Sequence, residues 1–272
     1  MSVVDLSAPR RAALPLSRSI GASLVLGVAL LAFLGPWVVP GDPLAQSLIE
    51  ALSGPDASAP LGYDHLGRSV FHRLAHALRL SPLIALAAVA TAGALGLVLG
   101  TLAAAKGGWV DRILSMLADA LLALPGLLLV LIILAMVPAT ALGFWLGLSL
   151  VLWVEFFRLT RAATRDTLAS PAVQASRLLG FGPVYLFRVH IWPEIAPMML
   201  TAAAFGTATA IMAIAALGFV HVGMRAPTPE LGLMMVELLP YWREAPLALL
   251  SPVVASFALL LGLTLMAGSR AT

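Results

Sequence analysis

The chain has 272 residues, 61% of them apolar and only 11% charged, with a mean hydropathy of +1.00. Ordinary soluble domains carry about 45–50% apolar and about 25% charged residues, so a soluble enzyme, a disordered chain and a collagen-like chain are excluded together. Sixteen basic against thirteen acidic residues leave a net charge of +3, a small excess that fits membrane topology better than a nucleic-acid partner.

Cysteine is absent, which removes disulfides, zinc fingers and thiol nucleophiles. Lys106 is the single lysine and no G-x-x-x-x-G-K-[ST] loop surrounds it, while HExxH and GxSxG are missing. The chain is therefore expected not to be an enzyme and to hold no cofactor. Energy for any transport must come from a gradient or a partner.

In chain order, residues 1–18 are expected to form a cytoplasmic N-terminal tail and residues 19–272 one transmembrane domain. Charges are costly at a bilayer centre, so charge-free stretches locate the spans. These predict six helices over 19–41, 80–105, roughly 112–137, roughly 141–158, 195–224 and 245–269, each near the 20 residues a crossing needs. Pro138 and Gly143 supply the turn between the third and fourth. With the N-terminus inside, eleven of the sixteen basic residues fall on the cytoplasmic side, so both termini are expected there. The fold class is an all-α membrane protein. The first span is too long for a signal-peptide core and lacks a cleavage site after it; it reads as an uncleaved anchor.

Three segments outside the spans are long enough to act. Residues 40–79 and 221–244 lie outside. The former ends in the helix-like VFHRLAHALRL, and Pro227 and Pro229 keep RAPTPE extended in the latter. Residues 159–193 lie inside and are basic. There Gln174, Ala175, Leu178 and Leu179 share a helix, Gly180 stops it, and a second short helix runs from Pro183 to Val189 before Pro193 opens the next span. Such an elbow suits either docking into a partner's groove or lying on lipid headgroups.

Among polar residues, Asp119 sits within the third span, two turns beyond Arg112, and is assigned a structural role bridging helices. Glu155 can pair with Arg158. Arg161 and Arg165 share a face toward the inside loop, open to an acidic partner or lipid phosphate. His72 and His76 stand at i,i+4, a spacing that suits a transition metal. With His221 they form an incomplete candidate metal contact, against the alternative that they face water or headgroups. The pairs Gly96/Gly100 and Gly143/Gly147 permit close helix packing.

The inside loop resembles the E-A-A-x-x-x-G-x9-(I or H)-x-L-P signature of bacterial ABC-importer permeases. Here it reads QAS, RLL, Gly180, nine residues, then HIWP, with Gln174, Ser176 and Trp192 as departures and Ala175, Gly180, His190 and Pro193 in register. PLGYDHLGRSVFHRL, residues 60–74, GGWVDRILSMLADALLALPGLLL and AALGFVHVGMRAPTPELG, residues 215–232, are similar to segments of the dipeptide, oligopeptide and nickel permeases in the same order. The likeness covers roughly residues 20–266 and points to the second, C-type permease of a pair, with a lean toward the nickel branch.

The resemblance implies a type I ABC-importer permease fold in a bacterial inner membrane. It implies a heterodimer with a homologous permease, two ATPase subunits carrying ATP and Mg, and an extracytoplasmic substrate-binding protein. Gln174, Ala175, Ser176, Leu178, Leu179, Gly180, His190 and Pro193 would couple to the ATPases. A self-sufficient secondary transporter is the competing function. It would need inverted repeats and ionisable residues at the midplane, and neither is evident in the sequence.

Overall fold

The computed structural model describes residues 16–137 and 140–268. Most of the N-terminal tail, the turn expected at Pro138, and Arg270 lie outside them. Among the described residues the secondary structure is helical, apart from one isolated bridge between Tyr63 and Ser69.

Helix α1 (Leu16–Val38) is a single apolar run, and it packs along α10 (Pro246–Gly268) where Gly21 meets the Gly262 backbone. α2 (Val70–Lys106) is longer than the predicted span. At 1.5 Å per residue its 37 residues reach about 55 Å, well beyond a hydrocarbon core of about 30 Å. The helix-like run VFHRLAHALRL is thus the first three turns of the span helix itself. Pro82 is absorbed within it.

The third span departs most from expectation. Instead of one helix over 112–137, α3 (Gly108–Leu122) and α4 (Gly126–Met136) meet at 88°. Pro125 has no N–H to continue the ladder and disfavours helical backbone at Leu124. The Leu124 N–H folds back to the Leu121 carbonyl at 3.3 Å, and Pro125 sits at φ −58°, ψ 128°. Counting this bent pair as one crossing, six segments among the described residues are long and apolar enough to span a membrane.

α5 (Ala141–Ala169) runs eleven residues past the predicted end of the fourth span. Among the described residues it makes the most extensive helix pairing, with α2. Gly96 and Gly100 are the reason. A β-carbon on Gly96 would stand 2.4 Å from Phe156, and one on Gly100 would stand 2.8 Å from the Phe157 carbonyl. Phe144, Phe156 and Phe157 fill the core behind this contact.

α6 (Pro171–Leu178) and α7 (Pro183–Leu186) form the elbow, and α8 (Trp192–Phe219) follows. Pro193 stands in the first turn of α8, as predicted, but no gap precedes it: helix is continuous from Pro183 to Phe219. Lacking an N–H, Pro193 cannot bond the carbonyl four residues back. A wide turn over Phe187–Ile191 takes up the mismatch, with the Trp192 N–H donating to the Phe187 carbonyl five residues earlier.

The segment 221–244 is not simply an extended loop. It holds α9 (Leu231–Leu238), whose Leu231, Met234 and Leu238 are buried against α8 and α10. Two glycines allow that approach: a β-carbon on Gly232 would lie 1.9 Å from the Ala215 carbonyl, and one on Gly218 would lie 2.1 Å from Glu230.

Candidate functional site

The two ends of the bundle carry different chemistry. One, the hairpin end, holds residues 39–79 and 219–245; the other, the elbow end, holds residues 106–111 and 161–193.

At the elbow, Ser170 caps α6 by accepting the Val173 N–H at 3.4 Å, with Pro171 at the first helical position. Gly180 ends the helix at φ +84°, and the Phe181 N–H donates to the Ser176 carbonyl at 3.1 Å. That left-handed turn is open to glycine at little cost. Ser176 is buried and its hydroxyl meets His190 Nε2 at 3.0 Å, so the two signature positions brace α6 against the wide turn. Gln174 is exposed and donates to the Ala169 carbonyl at 3.2 Å, and Ala175 is exposed beside it.

Pro193 lies just after the wide turn. Leu178, Leu179 and Val184 are 90%, 76% and 70% exposed, and Phe181 stacks on Tyr185 at 4.1 Å. An apolar surface of this kind, held by a fixed turn beyond the spans, is suited to contact with another protein.

Ion pairs brace the same end. Asp119 accepts from Arg158 at 3.1 Å, tying α3 to α5. Arg158 therefore serves Asp119 rather than the expected Glu155. Arg161 is not free for a lipid or partner either. It grips Asp111 through Nε and Nη2, each donating to a different carboxylate oxygen, the Nη2–Oδ2 contact at 2.6 Å. Arg112 lies over the Trp109 ring at 5.2 Å rather than beside Asp119.

At the hairpin end, four charged side chains form a buried quartet. Arg68 donates to Asp64 at 2.6 Å and to Glu237 at 3.0 Å; Arg73 donates to the same Asp64 and to Glu237 at 2.7 Å. Burial alone pushes the Asp64 carboxyl up, but the Arg68 N–H and the charges of Arg73 and Arg68 outweigh it and hold the group below its usual range. The quartet joins the loop before α2, α2 itself and α9 into one unit. His65 adds to the seam by stacking on Tyr241 at 5.4 Å.

Glu230, also buried, accepts from the N–H groups of Gly232 and Leu233 at 2.9 and 2.8 Å and caps α9. Burial raises its carboxyl above the usual range, against the pull of these N–H groups. Sequence alone assigns no role to Asp64, Glu230 or Glu237. The available signal was an acid inside the apolar run LGLMMVEL, since a buried acid requires a partner.

The three histidines do not assemble. His72 is buried with both ring nitrogens engaged, by Ser69 Oγ at 2.8 Å and the Val39 carbonyl at 2.7 Å. His76 is exposed one turn along, and His221 sits in a left-handed turn at φ +60°. Among the described residues no three His, Cys, Asp or Glu side chains are grouped to hold a metal ion.

Residues 96–269 match the family described as binding-protein-dependent transport system inner membrane component. The chain is 30% identical to the dipeptide transport system permease protein of Haemophilus influenzae over 253 residues, 91% of this chain and 86% of that protein. It is 35% identical to the di/tripeptide transport system permease protein of Pseudomonas aeruginosa over 231 residues, covering 83% of this chain and 76% of that one. To the nickel transport system permease protein of Escherichia coli it is 32% identical over 230 residues, 85% and 83% of the two chains. A family match over well more than half the chain, on an all-helical fold of five to six apolar spans, places the chain among the binding-protein-dependent inner membrane components, the permeases of ABC importers.

Proposed function

We propose that this permease forms one half of a heterodimeric path in a bacterial inner membrane, with the hairpin end outside and the elbow end in the cytoplasm. Two ATPase subunits with ATP and Mg bind beneath it, and an extracytoplasmic binding protein delivers peptides, nickel or a metal–chelator complex to the hairpin end. The observation that carries the reading is the exposed apolar elbow of Leu178, Leu179 and Val184, held rigid by the Gly180 turn and the Ser176–His190 contact. A groove on one of the two ATPases receives it. When ATP draws the ATPases together, α6 moves with its groove, and the continuous helix from Pro183 to Phe219 carries that displacement toward α9. The helices rock as rigid bodies and the path opens alternately to each side.

The test has two parts. Co-purification with a second permease and two ATPases, followed by ATPase stimulation on adding loaded binding protein, checks the assembly. Cysteines placed singly at Ser58 and Thr228 should react with impermeant thiol reagents in intact cells, and one at Ser170 should not. Labelling at Ser170 would reverse the orientation and remove the docking role.

A further inference from the structure

Pro36 stands inside α1 and has no N–H to give the Ala32 carbonyl four residues back. Arg79 of α2 supplies the missing donor. Its Nε meets that carbonyl at 2.5 Å, and its guanidinium carbon lies 5.4 Å from the centre of the Phe33 ring. These two contacts hold the guanidinium against α1. Only Nε is spent: among the described residues no carboxylate pairs with Arg79, and neither Nη has a hydrogen-bond acceptor.

Arg79 and Lys106 bound the charge-free stretch 80–105 of α2, about 40 Å apart at 1.5 Å per residue. That is close to the roughly 40–45 Å of a bilayer with its headgroups included. With Lys106 at one surface, Arg79 stands at phosphate depth in the leaflet on the hairpin side. The side chains around it change character at this level. Toward the hairpin, His76 is exposed one turn along α2, and exposed Trp37, one turn beyond Phe33, is of the type that sits among headgroups. In the other direction Leu83 and Leu86 continue the Arg79 face of α2, Leu26 and Leu30 continue the Phe33 face of α1, and all four are exposed.

We infer that Arg79 clamps the phosphate of a phospholipid in that leaflet, with the acyl chains lying over the leucines below. The free Nη edge presents its N–H groups in the fork that matches two phosphate oxygens. A carboxylate on a neighbouring protein could meet the same fork. The headgroup depth and the exposed leucines beneath favour a phospholipid, since one molecule then serves both. The inference requires only that the chain crosses a bilayer, so it stands apart from the import reading.

The experiment titrates the full-length permease in detergent with phosphatidylglycerol, and separately with diacylglycerol of the same chains, and counts bound lipids by native mass spectrometry. The parent should hold its tightest phospholipid in preference to diacylglycerol. Arg79→Gln should weaken that phospholipid about tenfold, the usual worth of a charge-assisted hydrogen bond, and leave diacylglycerol binding unchanged. Arg79→Lys keeps the charge without the fork and should lie between. Because Arg79 also serves the Ala32 carbonyl, Arg79→Gln is repeated in a Pro36→Ala background, where a restored backbone N–H serves that carbonyl and α1 no longer needs the arginine. The same tenfold loss there supports the clamp. Equal phospholipid affinity in Arg79→Gln and the parent, or a parent that binds diacylglycerol as tightly, overturns it. Displacement of the lipid by excess inorganic phosphate assigns the fork to a free anion instead. Loss of a co-purifying protein from Arg79→Gln, with the lipid count unchanged, assigns it to a carboxylate of that partner and equally overturns the lipid site.

Discussion

The hairpin end and the elbow end treat their ion pairs in opposite ways. At the hairpin end Asp64, Arg68 and Arg73 are almost wholly shielded and Glu237 is 14% exposed, each answered by two or more partners. At the elbow end the Arg158–Asp119 pair is 60% and 62% exposed, and the largest exposed residues on the turn are apolar. A region that satisfies its own buried charges is finished as a single chain. A region that leaves leucines uncovered beyond the membrane spans is finished by something else. The difference gives each end a distinct mode of failure.

The largest effect is expected from breaking the quartet. Glu237→Ala leaves Arg68 and Arg73 sharing one acid in a buried site, and removing one partner of such a set costs about 3–5 kcal/mol. The detergent-solubilised protein should lose much of its thermal stability, read as a fall in Tm. A second variant separates charge from packing: Arg73→Met with Glu237→Leu keeps the Asp64–Arg68 pair neutral and should recover most of the loss. The pH response follows from Asp64, whose carboxyl is held low. Its contribution is complete above the unfolded-state value of about 3.9 and disappears as pH falls through the lower folded value. Between pH 7 and pH 5 the quartet should therefore be insensitive to acid. A Tm for Glu237→Ala within a degree of the parent's would show that the hairpin end does not depend on it.

The second effect sharpens the comparison from the other side. Gly180 is the one residue of the elbow with a left-handed backbone, and no atom lies within 4 Å of where its β-carbon would stand. Gly180→Val therefore meets no neighbour and is penalised only through its backbone, by roughly 1–2 kcal/mol. Membrane insertion and Tm should change little, while ATPase association and transport fall. Normal coupling in this variant would remove the elbow as the transmitting element. Gln174 is the companion test, since it is exposed and bonds only within its own turn. Gln174→Ala should leave coupling near the parent's, because the apolar contact rests on Leu178, Leu179 and Val184.

The sequence made these regions legible to different degrees. Apolar runs and charge gaps give the number of spans and the two ends, because burial in lipid acts on composition. The Gly180 stop is legible because turn chemistry is local. The 88° bend is less so: Pro125 announces a break, but its angle depends on how α4 packs on α5, where Gly126 meets Val151 and Gly147 meets Val130. The quartet was hidden because Arg68 and Glu237 are 169 residues apart, and nothing local distinguishes a charge that will be buried from one facing water. His72 misled for the same reason. Its spacing to His76 is correct for a ligand pair, yet its nitrogens are taken by a serine three residues back and a carbonyl on the preceding span.

The smallest expected effect is at the Arg158–Asp119 pair. It links α3 to α5 at 3.1 Å through two side chains that are more than half exposed in the single chain. Exposed pairs of this kind are worth roughly 0.2–1 kcal/mol, because water screens them and two long side chains must be held still. The neighbouring Arg161–Asp111 grip is two-pronged and less exposed, 28% and 21%, so it should contribute more. A double-mutant cycle with Asp119→Asn and Arg158→Gln, read by thermal unfolding of the isolated permease in detergent, should give a coupling below about 1 kcal/mol. Repeating the cycle on the assembled importer makes the contrast between the ends quantitative. If a partner covers this face, water leaves the pair and the coupling should rise, since attraction strengthens as the local dielectric falls. An equal coupling in both states would mean that Asp119 and Arg158 stay wet in the assembly, and that the partner's contact is confined to the elbow turn.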